Sequence, residues 1–210
     1  MIRIGLADDH LIVRQGLKQI LSDQEDLAVV GEAANGAETL QLVRDTAFDV
    51  LILDLSMPGR SGVELIKLIK AEKPKLAILV LSMHKEEQYA VRAIKAGAAG
   101  YLTKESASDQ LVSAIRRVAS GRAFVTPAVA EWMILDFGAP SEGPSHTQLS
   151  DREFQIFQMI VSGMNVTAIA DALCLSVKTV STHKARILQK MHMSNSAELI
   201  HYAIEHGLRP

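Results

Sequence analysis

The sequence predicts an α/β domain followed by an all-α domain: a doubly wound, five-stranded parallel sheet, then a unit of four helices. Three observations predict it. Five short runs, 2–6, 27–30, 50–53, 77–81 and 100–102, are mostly aliphatic without strict alternation, as strands covered on both faces are. Helical spacings lie between them: Val13, Leu17, Ile20 and Leu21; Leu65, Leu68 and Ile69; Leu111, Ile115 and Val118. Strand patterns then stop at about residue 120, so five β/α units precede a different architecture.

Past residue 120, Thr126-Pro127 reads as a helix start, a short helix is expected over 129–137, and "GAPSEGPSHT" at 138–147 reads as an interdomain linker. Residues 121–147 are thus the connection between a domain at 1–120 and one at 148–210. Ser150 and Glu153 have capping-box spacing, Phe154, Phe157 and Val161 share a face, and Gly163 ends that helix. A second helix is expected over 166–173, a third from the Ser176 cap to about Met191, and a fourth over 197–206 before Gly207.

Composition narrows the setting. With 48% hydrophobic and 22% charged residues the chain reads as an ordinary globular protein. Its single cysteine, Cys174, excludes an intrachain disulfide and a cysteine-clustered zinc site, which suits a reducing, cytoplasmic environment. No apolar run reaches membrane-spanning length, and the N-terminus lacks the basic start and long apolar stretch of a signal peptide, so no membrane partner is expected.

Charge collects at strand ends. Asp8 and Asp9 follow the first strand and Asp54 the third; if strands one and three are neighbours, as in the order 2-1-3-4-5, all three meet at the topological switch point. Carboxylates that close resist joint ionisation unless a cation joins them, and Mg²⁺ takes few carboxylates and keeps waters for other oxygen ligands. Ser82 and Lys104 end the fourth and fifth strands and complete a plausible phosphoryl-transfer site. A strand-end aspartate alone is often only a helix cap. Joint placement on four strand ends favours function.

The motifs "ADDH", "LILDLSMPG", "LVLSMH" and "GAAGYLTKE" resemble the phospho-acceptor pattern of bacterial response-regulator receiver domains. That resemblance implies phosphorylation at Asp54, Mg²⁺ held by Asp54, by Asp9 directly, by Asp8 through water and by the Ser56 backbone carbonyl, phosphoryl contacts from Ser82 and Lys104, and Tyr101 as the switch aromatic. It also implies a sensor histidine kinase as partner and, beyond self-catalysed phosphotransfer and dephosphorylation at Asp54, no enzymatic activity. Ser56 and His84 flank the expected water approach and are read as tuners of dephosphorylation. Glu105 follows the lysine where receivers commonly carry a proline, often cis; a non-proline cis bond costs about 2.5–4 kcal/mol, which leaves the isomer at 104–105 open.

Residues 148–207 resemble the LuxR-type helix-turn-helix, and the whole chain a NarL/FixJ-type response regulator. Charge is distributed accordingly: residues 1–120 carry 15 basic and 16 acidic side chains, 121–147 one and three, and 148–210 six and five. Between Asp171 and Glu198 the charged residues are Lys178, Lys184, Arg186 and Lys190, with no acid. The resemblance places the third helix of this domain in the major groove of double-stranded DNA, with Ser181, Thr182 and Ala185 toward base edges and Lys178, Thr179, Lys184, Arg186 and Lys190 toward phosphates. His183 and Cys174 are expected to pack inside the domain. One small module grips a single half-site weakly, so a homodimer on paired promoter half-sites is expected.

Two rivals share the fold class. A nucleotide-binding enzyme is disfavoured because "GEAANG" at 31–36 lacks the Lys-Ser/Thr ending of a P-loop and no G-x-G-x-x-G follows the first strand. A phosphorylation-independent regulator or adaptor that keeps the fold would fail to take label from acetyl phosphate.

Overall fold

The structure is a computed structural model describing residues 1–57, 62–82, 87–127, 129–131, 133 and 145–208. The chain folds into two compact units, Met1–Ile134 and Leu135–Pro210.

The first unit is a five-stranded parallel sheet of order β2-β1-β3-β4-β5, as expected. The strands are β1 (Ile2–Ala7), β2 (Leu27–Ala33), β3 (Val50–Asp54), β4 (Ala77–Ser82) and β5 (Gly100–Thr103), and the helices α1 (Leu11–Ser22), α2 (Gly36–Asp45), α3 (Gly62–Glu72), α4 (Glu87–Lys95) and α5 (Ala107–Ala119). Every residue of β3 is buried, which explains its unbroken aliphatic run. One core cluster joins Ile4, Leu6, Ile52, Leu79 and Leu81 of the sheet with Leu17 and Leu21 of α1 and Leu111, Ile115 and Val118 of α5. Burying such a side chain contributes roughly 1.5–3 kcal/mol.

β2 runs three residues beyond its apolar stretch, because Gly31, Glu32 and Ala33 pair with Gly5, Leu6 and Ala7 after a bulge between Ile4 and Gly5. The chain does not leave the sheet at residue 120 either. Phe124 bridges to edge strand β5, its carbonyl accepting from Tyr101 N–H at 3.0 Å and its own N–H donating to Ala99 O at 2.9 Å. A Cβ on Gly100 would stand 2.9 Å from the Phe124 carbonyl oxygen, so this approach requires glycine there. Thr126 then caps a helical stretch including Pro127 and residues 129–131, Val129 N–H donating to its hydroxyl at 3.3 Å. Residue 133 is helical as well, and positions 128, 132 and 134–144, the remainder of the expected helix and of the linker, lie outside the described residues.

The second unit holds α6 (Asp151–Val161), α7 (Val166–Ala172), α8 (Val177–Lys190) and α9 (Ser196–Glu205), preceded by a 3-10 turn, Ser145–Gln148. Each helix start has a local cause. The Ser150 hydroxyl accepts from Glu153 N–H and the Glu153 carboxylate from Ser150 N–H, the capping box the spacing predicts. Asn165, Ser176 and Asn195 cap the other three. Gly163 ends α6 at φ +90°, as expected. Phe154 and Phe157 are fully buried with ring centroids 6.0 Å apart. His146 is buried beside them and shares a 2.7 Å hydrogen bond with the Tyr202 hydroxyl.

Cys174 corrects the sequence reading. It is exposed, not packed inside the domain. It follows α7 at φ +51°, in the turn where Leu175 N–H donates to Ala170 O, a left-handed position that glycine usually fills. Among the described residues no helix is long and apolar enough to cross a membrane.

Candidate functional site

Parallel pairing brings strand ends together. β1 and β3 are neighbours, with Ala7 opposite Leu53, so Asp8 and Asp54 stand side by side at the carboxyl edge of the sheet. Ser82 pairs with Thr103 one strand further on, and Lys104 N–H donates to Ser82 O at 2.8 Å. Thus Asp8, Asp9, Asp54, Ser82 and Lys104, scattered over nearly a hundred positions, converge. Asp8, Asp54 and Ser82 are buried polar residues, and Asp9 is half-exposed.

Lys104 binds the acids. Its ammonium lies 2.6 Å from Asp8 Oδ2 and 2.9 Å from Asp54 Oδ2. Burial pushes the Asp54 carboxyl above its ordinary value, partly offset by Lys104 and the Ser56 N–H, with Asp8 pushing further up. Burial depresses the Lys104 ammonium, but the Asp8 and Asp54 carboxylates overcome this and hold it above its ordinary value. Ser56 N–H donates to Asp54 Oδ1 at 3.1 Å, which fixes that carboxylate from the turn after β3. The 104–105 peptide is trans, since no cis bond occurs among the described residues. Tyr101 on β5 is buried, at 4% exposure, so its ring sits inside in this structure. His84 lies outside the described residues.

Two neighbours escaped sequence reasoning. His10 directs its ring at the acids, with Nδ1 2.9 Å from Asp9 Oδ1 and 3.3 Å from Asp8 Oδ1. Its place in "ADDH" was the available signal. Arg14, one turn into α1, donates to the Asp8 carbonyl at 2.6 Å and reaches Glu32 of β2 at 3.3 Å. Asp8, Asp9, His10 and Asp54 can each offer a ligand atom within 4.8 Å of the others. An oxygen-rich donor set with too much negative charge for so small a volume suits a hard divalent cation such as Mg²⁺.

The second candidate surface is α8. Lys178, Ser181, Thr182, Ala185 and Arg186 are exposed, whereas Val180 and Ile187 are buried beneath them. Thr182 donates to Lys178 O at 2.9 Å, and the Thr179 hydroxyl lies 2.7 Å from the capping Ser176 hydroxyl. Lys184 is half-buried. The Lys190 ammonium, read from the sequence as a phosphate contact, is 2.7 Å from Glu153 Oε2 and ties the end of α8 to the start of α6. His183 is half-buried, as expected of a packing residue, and burial with the Arg152 and Arg186 charges pushes its imidazole below its ordinary value.

Comparison with known proteins follows the same division. The family model "Response regulator receiver domain" matches residues 4–116, and "Bacterial regulatory proteins, luxR family" matches 147–203. The chain is 38% identical over 208 residues to the response regulator GacA of Pseudomonas protegens, covering 99% of this chain and 98% of that one. It is 40% identical over 209 residues to the response regulator UvrY of Escherichia coli (strain K12), with 99% and 96% covered. Among solved structures it resembles Salmonella RcsB bound to promoter P1flhDC in the presence of phosphomimetic BeF3⁻, with a TM-score of 0.70, 30% identity and 96% and 97% coverage. A receiver domain followed by a LuxR-family helix-turn-helix, matched along nearly the whole length, makes this chain a two-component response regulator of the NarL/FixJ type.

Proposed function

We propose that this protein is a cytoplasmic transcription factor switched by Mg²⁺-dependent phosphorylation of Asp54 from a partner histidine kinase, and that it binds promoter half-sites as a homodimer through α8. The observation that carries the reading is the Lys104 ammonium between Asp8 and Asp54. A buried acceptor carboxylate stands next to a fixed cation, with Ser82 on the adjoining strand end.

Asp8, Asp9, Asp54 and the Ser56 carbonyl would hold Mg²⁺. When bound, the ion offsets the negative charge of the carboxylates and of the incoming phosphoryl oxygens. An Asp54 carboxylate oxygen attacks phosphorus, the bond to the donor breaks with its electron pair on the leaving group, and an acyl phosphate results. Lys104 and Ser82 follow the phosphoryl oxygens with charge-assisted hydrogen bonds. Such bonds bias the ends of β4 and β5, and Tyr101 on β5 is the aromatic that responds. Moving a two-state equilibrium from 1:99 to 99:1 takes roughly 5.5 kcal/mol, the scale of a few ionic hydrogen bonds. Phosphotransfer and dephosphorylation at Asp54 are the only reactions this assigns; turnover of a small substrate is not expected.

In the DNA-binding half, residues 148–210 reached through the 121–147 connection, Ser181, Thr182 and Ala185 face bases while Lys178, Lys184, Arg186 and Lys190 meet phosphates, with Thr179 contributing from the first turn. Small side chains discriminate bases weakly, so DNA shape carries part of the specificity. RcsB complexes with promoter DNA, and two RcsB dimers bound to two DNAs, support this arrangement by similarity.

The test compares binding to a promoter duplex by wild type and Asp54→Asn, each with and without acetyl phosphate and Mg²⁺. Tighter binding only by treated wild type is expected. Equal affinity in all four samples would overturn the switch.

A further inference from the structure

We propose that His10 supplies a nitrogen ligand to the Asp8–Asp9–Asp54 cluster and shifts its cation preference from Mg²⁺ toward first-row transition ions such as Mn²⁺ and Co²⁺. This rests on reading that cluster as the cation site. Two ligand atoms each about 2.1 Å from an octahedral ion, and at right angles about it, lie about 3.0 Å apart. His10 Nδ1 meets that spacing with the directly ligating carboxylate, at 2.9 Å from Asp9 Oδ1, and lies 3.3 Å from Asp8 Oδ1. Lys104 engages the other oxygen of Asp8, Oδ2, and so leaves the Oδ1 side to the imidazole.

The ring caps no helix, and its Nδ1 contacts are those with the two acids. His10 occupies the N-cap of α1 in extended conformation, yet its side chain makes no capping hydrogen bond. Its backbone N–H donates to Asp8 Oδ1 at 2.8 Å, which sets the start of the side chain beside the acids. The ring is 62% exposed, so ligation disturbs no core packing. Oxygen donors suit Mg²⁺ and Mn²⁺, whereas imidazole raises affinity for later divalent ions in the order Mn²⁺ < Co²⁺. A purely oxygen site becomes a mixed one by this single residue.

Calorimetric titration of full-length wild type, His10→Ala and Asp9→Ala with Mg²⁺, Mn²⁺ and Co²⁺ tests the assignment, joined by pulsed electron paramagnetic resonance of the Mn²⁺-loaded proteins. Expected for His10→Ala is a loss of about tenfold or more in Co²⁺ affinity, against less than about twofold for Mg²⁺. Nitrogen coupling to Mn²⁺ should appear in wild type and vanish in His10→Ala. Equal changes for Mg²⁺ and Co²⁺, or coupling unaltered by the substitution, would overturn the role of His10 while leaving the cation site standing. Asp9→Ala separates the two ideas. Loss of all three ions there supports the site itself, and binding that survives Asp9→Ala overturns both.

Discussion

In the α/β unit the functional side chains stand on the ends of separate strands and hold one another by charge. In the C-terminal unit they stand along one helix, and what holds them is a cap at its start and an apolar face beneath. Asp8, Asp54 and Lys104 form a buried ionic triad whose members lie far apart in sequence. The α8 residues owe their position to the Ser176 cap and to Val180 and Ile187, all within the same short stretch. The first arrangement makes the site sensitive to the loss of a single charge. The second makes it depend on whether the domain is folded at all.

Substitutions can break this contrast, and the largest effect is expected in the helical unit. Phe157→Ala removes a fully buried ring that stacks on Phe154, and should cost about 3–5 kcal/mol in urea denaturation, with no dependence on Mg²⁺. Next comes Lys104→Met, which strands two buried carboxylates and should cost about 3 kcal/mol, recovered in part by Mg²⁺. A loss that Mg²⁺ leaves unchanged would erase the distinction between the units. Ser150→Ala opens the α6 capping box for about 1 kcal/mol, read as a lower melting temperature.

That capping box carries a pH dependence as well. Glu153 is buried, which raises its carboxyl, but Lys190 and Ser150 hold it below its ordinary value. A depressed folded value means that its contribution is complete above the ordinary glutamate value and is lost as pH falls through the folded one. Acid titration should therefore separate wild type from Lys190→Met at high pH and bring them together at low pH. Smallest is Lys178→Ala on DNA, expected to lower the salt slope of binding by about 1 with fold and stability unchanged.

Much of this was legible in the residues because local rules and global fold agree. The aliphatic run of β3 is visible since both its faces are covered, and Ser150 with Glu153 announces α6 by spacing alone. The five site residues on four strand ends were legible through their order along the chain. What escaped reading depends on long side chains or on backbone meeting backbone. The ion pair of Lys190 could not be read from its neighbours in sequence, because its partner Glu153 lies 37 positions away. Arg14 looks like one more polar face residue until α1 packs and lifts it to the Asp8 carbonyl. His10 hides in an N-cap position, and Cys174 carries no sign that its backbone turns left-handed. Phe124 lies where turn residues predict departure from the sheet, because a single-residue bridge has no periodicity.

That bridge bears on how the edge of the sheet is closed. β5 is an outer strand of the sheet, and a bare outer strand offers its amides and carbonyls to any chain that can lie alongside. Phe124 occupies the Tyr101 amide and the Ala99 carbonyl, the groups an intruding strand would use first. A few residues past α5 thus act as a selvedge, keeping the sheet from being extended by another molecule.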